Sequence, residues 1–205
     1  MKILGIGNAI VDVICKVDDN FIAQNGLTKS TMKLIFDENE FKKLLSSLKI
    51  EKTVSGGSVA NSIVGLSQLG NKVGFIGKVN DDDLGVKYEE GLKKENVEYF
   101  YSKKKEELPT GTCLILITPD SERTMCTFLG TAGKINENDV DVSAVKNSEI
   151  TFLEGYLWDE GDPKSAFNKA IQNSNKVAMS LSDLFCVERH KPHFLDLVKN
   201  KLDIT

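Results

Sequence analysis

The 205 residues are 40% hydrophobic and 27% charged, with a formal net charge of −4. This is the make-up of one globular domain with at most a small appendage, and it offers no surface of the kind that binds a polyanion, so nucleic acid is not an expected partner. No apolar run approaches the roughly 18–20 residues that cross a bilayer, and the start MKILGIGNAIVDVI lacks the pattern of a signal peptide, so the expectation is a cytoplasmic chain with no membrane partner.

Lys2–Ile14, rich in Ile, Leu and Val and interrupted by Gly5 and Gly7, predicts a buried strand running towards a bend. Thr31–Phe36 predicts a second strand, and Asp37 and Glu38 open a helix with Phe41, Leu44, Leu45 and Leu48 at helical spacing. After Ser55-Gly56-Gly57 a helix is expected from about Ser58, since Val59, Ile63, Leu66 and Leu69 recur every three or four positions up to Gly70-Asn71. Lys72–Lys78 reads as a short buried strand, followed by a helix through Lys94 with capping chemistry at Asp81–Asp83.

The period then changes. Cys113–Thr118 and Arg123–Phe128 form strand-like runs around the turn Pro119–Glu122, which predicts a hairpin. The strand–helix alternation resumes with a strand over Glu149–Leu157, a helix near Pro163, a strand over Lys176–Leu181 and a last helix around Phe194–Lys199. Together these elements imply an α/β fold, a mostly parallel sheet with helices on both faces, carrying a small β lid inserted from two segments. The expected division is 1–11, 37–96 and 129–205 in the core and 12–36 and 97–128 in the lid. In such folds the ligand lies in the crevice at the carboxyl ends of the strands, where Asn8, Asp12, Gly56-Gly57 and Asn61 fall.

Several patterns point away from particular chemistries. Gly5-Ile6-Gly7 begins like a dinucleotide fingerprint, but its third glycine position is Ile10, which disfavours a Rossmann site. Gly77-Lys78 and Gly133-Lys134 lack the upstream glycine and following hydroxyl of a P-loop. Cys15, Cys113, Cys126 and Cys186 are scattered and suggest neither a disulfide framework nor a zinc knuckle. Cys186, His190 and His193 make a C-x3-H-x2-H run, but Pro192 is expected to break the helical face, so no metal ligand is assigned. The charge-dense run Lys103–Glu107 reads as a solvated loop.

The segment Gly56-Gly57-Ser58-Val59-Ala60-Asn61 is more specific. Two glycines let backbone approach a ligand, while Asn61, in the first helical turn, can donate to one hydroxyl and accept from another. An ordinary glycine turn with a solvent-facing Asn fits the spacing equally well. The whole stretch GGSVANSIVGLSQLGNKVGFIGKVNDDDLG resembles the signature of the ribokinase-like (PfkB-type) kinases, and GIGNAIVDV, LEGYL and SLSDLFCV are similar to the adenosine kinase-like branch.

The resemblance implies an ATP-dependent, magnesium-requiring kinase that phosphorylates a primary hydroxyl of a nucleoside or sugar. It implies that Asp12, with Asn8 beside it, accepts from vicinal hydroxyls, that Gly56, Gly57 and Asn61 complete the acceptor clamp, and that Arg123 is a lid arginine reaching towards the transferred phosphoryl group, although a surface arginine beside Glu122 in an exposed turn fits that position equally well. Asp183 stands at a strand end and is an N-cap as readily as a ligand contact.

The family's Asn-x-x-Glu and Gly-x-Gly-Asp motifs, which handle magnesium and the catalytic base, do not occur in this sequence. Glu160-Gly161-Asp162-Pro163 is a partial imitation in which Asp162 is better explained as an N-cap with Pro163 at the first helical position. Lys201–Thr205 resembles the beginning of the strand that delivers the magnesium motif, and the resemblance implies that the catalytic Asp lies beyond Thr205. No catalytic residue is therefore assigned. The 205 residues are expected to form the acceptor-binding portion of such a kinase, truncated before its nucleotide site and inactive alone. The alternative is a non-catalytic ligand-binding or dimerising module, with a homodimer through the β lid as the partner it suggests.

Overall fold

A computed structural model describes residues 1–159 and 162–205. Its elements, in chain order, are β1 (Ile3–Ile6), β2 (Ile10–Lys16), α1 (Asp19–Gln24), β3 (Met32–Leu34), α2 (Glu38–Ser46), β4 (Ile50–Gly56), α3 (Ser58–Gln68), β5 (Val73–Ile76), α4 (Asp83–Lys94), β6 (Val97–Tyr99), β7 (Gly111–Ile117) and β8 (Arg123–Phe128). These are followed by α5 (Val142–Lys146), β9 (Ile150–Glu154), α6 (Pro163–Asn173), β10 (Val177–Ser180) and α7 (Leu184–Asn200).

The most apolar strands form a parallel sheet in the order β10-β9-β1-β5-β6. Strands covered on both faces need no polar side, and here successive residues serve opposite layers. Ile3, Val73, Phe75 and Phe152 meet α3 and α4, while Leu4, Ile6, Ile76, Leu153, Val177 and Met179 pack into the layer containing Ala144 of α5, Phe167 of α6 and Phe194 of α7. Asp37, Asp82, Asp162 and Asp183 cap α2, α4, α6 and α7 by accepting from first-turn N–H groups.

The second sheet is mixed, in the order β3-β8-β7-β2-β4. Here the side-chain period of two separates an inner and an outer face. Val11, Val13, Cys15, Leu114, Leu116, Cys126 and Phe128 belong to one core cluster with Phe41 and Leu44 of α2, and Phe41 stacks on Phe128 at 5.4 Å. Ile10, Asp12, Cys113, Ile115, Met125 and Thr127 point the other way, into a cavity. The α/β architecture with a mostly parallel sheet, flanking helices and a β lid is therefore the one expected.

Four details differ from expectation. Lys2–Ile14 is two strands: the chain leaves the parallel sheet after Ile6, passes Gly7-Asn8-Ala9, and joins the lid at Ile10. β4 is not among the expected strands; as an outer strand of the lid it is largely exposed and its sequence IEKTVSG shows no apolar run. Consequently the lid draws on 50–56 as well as the expected segments, while β6, within the expected lid segment, pairs with β5 in the core sheet. Finally, α7 starts at Leu184 and continues through Pro192, which the helix accommodates internally.

Asp162 caps α6 with Pro163 in the first turn, as expected, while Glu160 and Gly161 lie outside the described residues. After α7 the chain returns to the edge of the parallel sheet. Ile204 forms a parallel bridge with Ala178 of β10, and the Thr205 hydroxyl donates to the Met179 carbonyl at 3.3 Å. Lys201–Thr205 thus reaches the sheet where a further strand would pair, although it makes a single bridge rather than a strand.

Candidate acceptor site

Asn8, Tyr156 and Asp183, which follow β1, β9 and β10, mark a space at the carboxyl ends of these strands. A cavity of about 340 Å³ opens there, floored by the parallel sheet and the start of α3 and roofed by the lid. Asn8, Asp12, Gly57, Asn61 and Arg123 all line it, and Asp183 does too. Gly56 is set behind Asp12, so close that a Cβ on it would collide with the Asp12 carboxylate. Thr205 is not part of the lining, and its hydroxyl is spent on the edge of β10.

The floor is organised by a residue that sequence reasoning noted only as part of LEGYL. Glu154, at the end of β9, is 1% exposed, and its Oε1 accepts from Asn8 Nδ2 at 2.9 Å and Asn8 N at 3.3 Å. Its Oε2 accepts from the backbone N–H of Val59 at 2.9 Å. α3 needs this, because its N-cap is Gly57, which has no side chain to offer, and an anion is stabilising at a helix N-terminus. Burial pushes the Glu154 carboxyl above the usual carboxylate range, partly offset by the three N–H donors. The sequence signal for it is a carboxylate directly after the apolar run Ile150–Leu153, where an unpaired charge would be costly.

Because Asn8 Nδ2 is turned to Glu154, its Oδ1 is the remaining end of the amide. It is buried and has no hydrogen-bond partner among the described residues, although Asn8 itself is only 3% exposed and lines the cavity. The Asp12 carboxylate likewise makes no hydrogen bond or ion pair among them, and burial alone pushes it up to about 6. Two residues that line one cavity, Asn8 and Asp12, thus each carry an acceptor without a donor.

The other walls are apolar or aromatic. Ile10, Leu34, Ile115, Met125 and Leu129 cover the lid side, and Tyr156 and Phe185, with centroids 5.9 Å apart, stand beside Asp183. Arg123, exposed at the start of β8, is the basic side chain of the lining among the described residues. Cys186, His190 and His193 all lie on α7, and no described group of three or more His, Cys, Asp or Glu side chains is arranged to hold a metal ion.

Gly57 has φ 105°, a conformation that disfavours side chains, and a Cβ there would strike the Asn8 carbonyl. Gly57→Ala is expected to lose about 2–4 kcal/mol of stability in urea unfolding, the sum of backbone strain and a collision with main chain that cannot give way.

Comparison with known proteins agrees with this architecture. The pfkB family carbohydrate kinase profile matches residues 6–197. A 5-dehydro-2-deoxygluconokinase of Clostridium perfringens is 31% identical over 144 residues, covering 69% of this chain and 43% of that protein. The solved structure of adenosine kinase from Sinorhizobium meliloti superposes with a TM-score of 0.90 at 35% identity, over 99% of this chain and 64% of that one. A probable sugar kinase from Rhizobium etli gives 0.89 at 35% identity, over 99% and 63%. The chain spans less than two thirds of the length of each of these relatives. With the profile match running through both sheets and every cavity residue named above, the chain belongs to the pfkB family of carbohydrate kinases.

Proposed function

We propose that this chain binds the hydroxyl-bearing acceptor of an ATP-dependent kinase that phosphorylates a primary hydroxyl of a nucleoside or sugar. The observation that carries the reading is the pair of unpartnered acceptors, the Asp12 carboxylate and the buried Asn8 Oδ1, on two residues that line one cavity. Two adjacent sugar hydroxyls are suitable occupants, since each brings a donor to an oxygen that lacks one. Asn61 can donate to one hydroxyl and accept from another, and the turn at Gly57 brings main chain to the same place.

Among the acceptors named for its relatives, adenosine and a sugar acid, the walls favour the first. The apolar lid face and the Tyr156–Phe185 pair suit a flat ring system better than a chain of hydroxyls and a carboxylate. Arg123, at the rim, suits the charge of a phosphoryl group approaching from solvent.

ATP would supply that group and magnesium would offset its charge. The described residues contain no side-chain cluster that fits a magnesium ion, and the sequence contains no Gly-x-Gly-Asp turn, so no residue here is assigned to either. The 205-residue chain is accordingly expected to bind acceptor without acceptor-dependent ATP turnover.

Calorimetric titration of the chain with adenosine and D-ribose from pH 5 to 7.5 tests the reading. Accepting two donors requires the ionised Asp12 carboxylate, so affinity should rise with pH through about 6 and be roughly tenfold weaker at pH 5 than at pH 7. The contribution to folding has the opposite sign. The Asp12 carboxyl in the folded chain holds its proton up to about 6, above the ordinary 3.8, so its stabilising contribution is complete below that lower value and is lost as pH rises through the higher one. Absence of binding by both compounds, or an affinity flat across this range, would overturn the assignment.

A further inference from the structure

The Gly56–Gly57 peptide is gripped from behind by a residue of α4 that lines no part of the acceptor cavity. Tyr88 is 0% exposed, and its hydroxyl donates to the Gly56 carbonyl at 3.2 Å in a buried contact. The grip is reciprocal: the adjacent Ser55 Oγ donates to the Tyr88 carbonyl at 3.1 Å. That approach depends on Gly91, one turn further along α4, where a Cβ would collide with Ser55 Oγ. The phenol ring cannot swing away, since Phe75 packs against it at 6.3 Å and Tyr99 edge-on at 6.0 Å. Burial pushes the Tyr88 phenol well above its usual range, which keeps the hydroxyl a donor at neutral pH.

Peptide geometry carries this grip through to the cavity. The Gly56–Gly57 peptide is trans, like every peptide bond among the described residues, and in a trans peptide the carbonyl and the next N–H point in opposite directions. With the Gly56 carbonyl held against α4, the Gly57 N–H is turned away from α4, and Gly57 is the glycine of the pair that lines the cavity. We propose that Tyr88 is a positioning residue of the acceptor site, its hydroxyl orienting the Gly56–Gly57 peptide so that the Gly57 N–H donates to an acceptor hydroxyl while Asp12 and Asn8 accept. This rests on the clamp reading above.

Tyr88→Phe removes the hydroxyl and keeps the ring. The expected result is about 3- to 10-fold weaker binding of adenosine by the full chain, the effect of one neutral hydrogen bond. The loss should shrink towards none with 2′-deoxyadenosine or 3′-deoxyadenosine, whichever lacks the hydroxyl that meets the N–H. Tyr99→Phe is the control for stability alone: Tyr99 also donates a phenol hydroxyl to a backbone carbonyl, that of Gly77 at 2.5 Å, and Gly77 does not line the cavity. It should lower the melting temperature comparably and leave adenosine affinity unchanged.

Gly91→Ala, which pushes Ser55 off α4 with the phenol intact, should weaken binding in the same way as Tyr88→Phe. Wild-type affinity in Tyr88→Phe, or an equal penalty for all three nucleosides, would overturn the inference while leaving the clamp standing. Failure of the unmutated chain to bind both adenosine and D-ribose would remove the clamp reading and this inference together.

Discussion

Glu154→Ala is expected to destabilise the chain by about 3–5 kcal/mol, the largest stability loss anticipated at this site. The substitution leaves Asn8 Nδ2, Asn8 N and Val59 N without the acceptor that all three now share. A buried donor left unsatisfied costs about 1–3 kcal/mol. The total stays below three full penalties because the cavity lies next to these groups and a water can enter. Glu154→Gln should fall between, since its amide keeps one acceptor oxygen but turns a donor towards donors. Urea unfolding with an unchanged dependence on denaturant is the measurement. A loss under about 1 kcal/mol would mean that solvent replaces the carboxylate and that the floor of the cavity does not depend on it.

Asp12→Asn should move stability and binding in opposite directions. Acceptor affinity is expected to fall about 100- to 1,000-fold, because two hydrogen bonds to a charged oxygen pair, each worth about 1.5–3 kcal/mol, are replaced by contacts in which one partner is now a donor. At pH 7 the melting temperature of the free chain should rise, since burial already opposes the charge and no protein donor compensates it. This is the pattern of a residue kept for function at some cost in stability. A variant that is both less stable and still binds adenosine would show that Asp12 is a structural carboxylate.

The parts of this molecule that are legible in its sequence are those in which local chemistry and burial agree. The helix from Ser58 can be read from Val59 and Ile63, and the hairpin from two apolar runs around Pro119–Glu122; both have the expected extents to within a few residues. Asn8, Asp12, Gly57 and Asn61 converge because crossover topology brings strand ends and helix starts to one edge. What cannot be read depends on partners distant in sequence. β4 has a polar sequence because one of its sides is solvent, and only its pairing with β2 makes it a strand. α7 passes through Pro192 because packing of Cys186, Phe194 and Leu197 outweighs the missing N–H. Tyr88 looks like any helical core residue until its hydroxyl is seen on Gly56, and Glu154 looks like a strand-end carboxylate until its three donors are counted.

α3 takes its N-terminal anion from a residue 95 positions further along the chain. A helix capped by its own neighbour can be finished as soon as it is made, whereas this one waits for a strand synthesised much later. Closing so long a loop is slow and comes late in folding, so the floor of the cavity should be among the last parts of the molecule to set. Substitutions at Glu154 should then act chiefly by speeding unfolding rather than by slowing folding. The acceptor site would thus be completed only once both halves of the parallel sheet have docked, which ties its appearance to the end of folding.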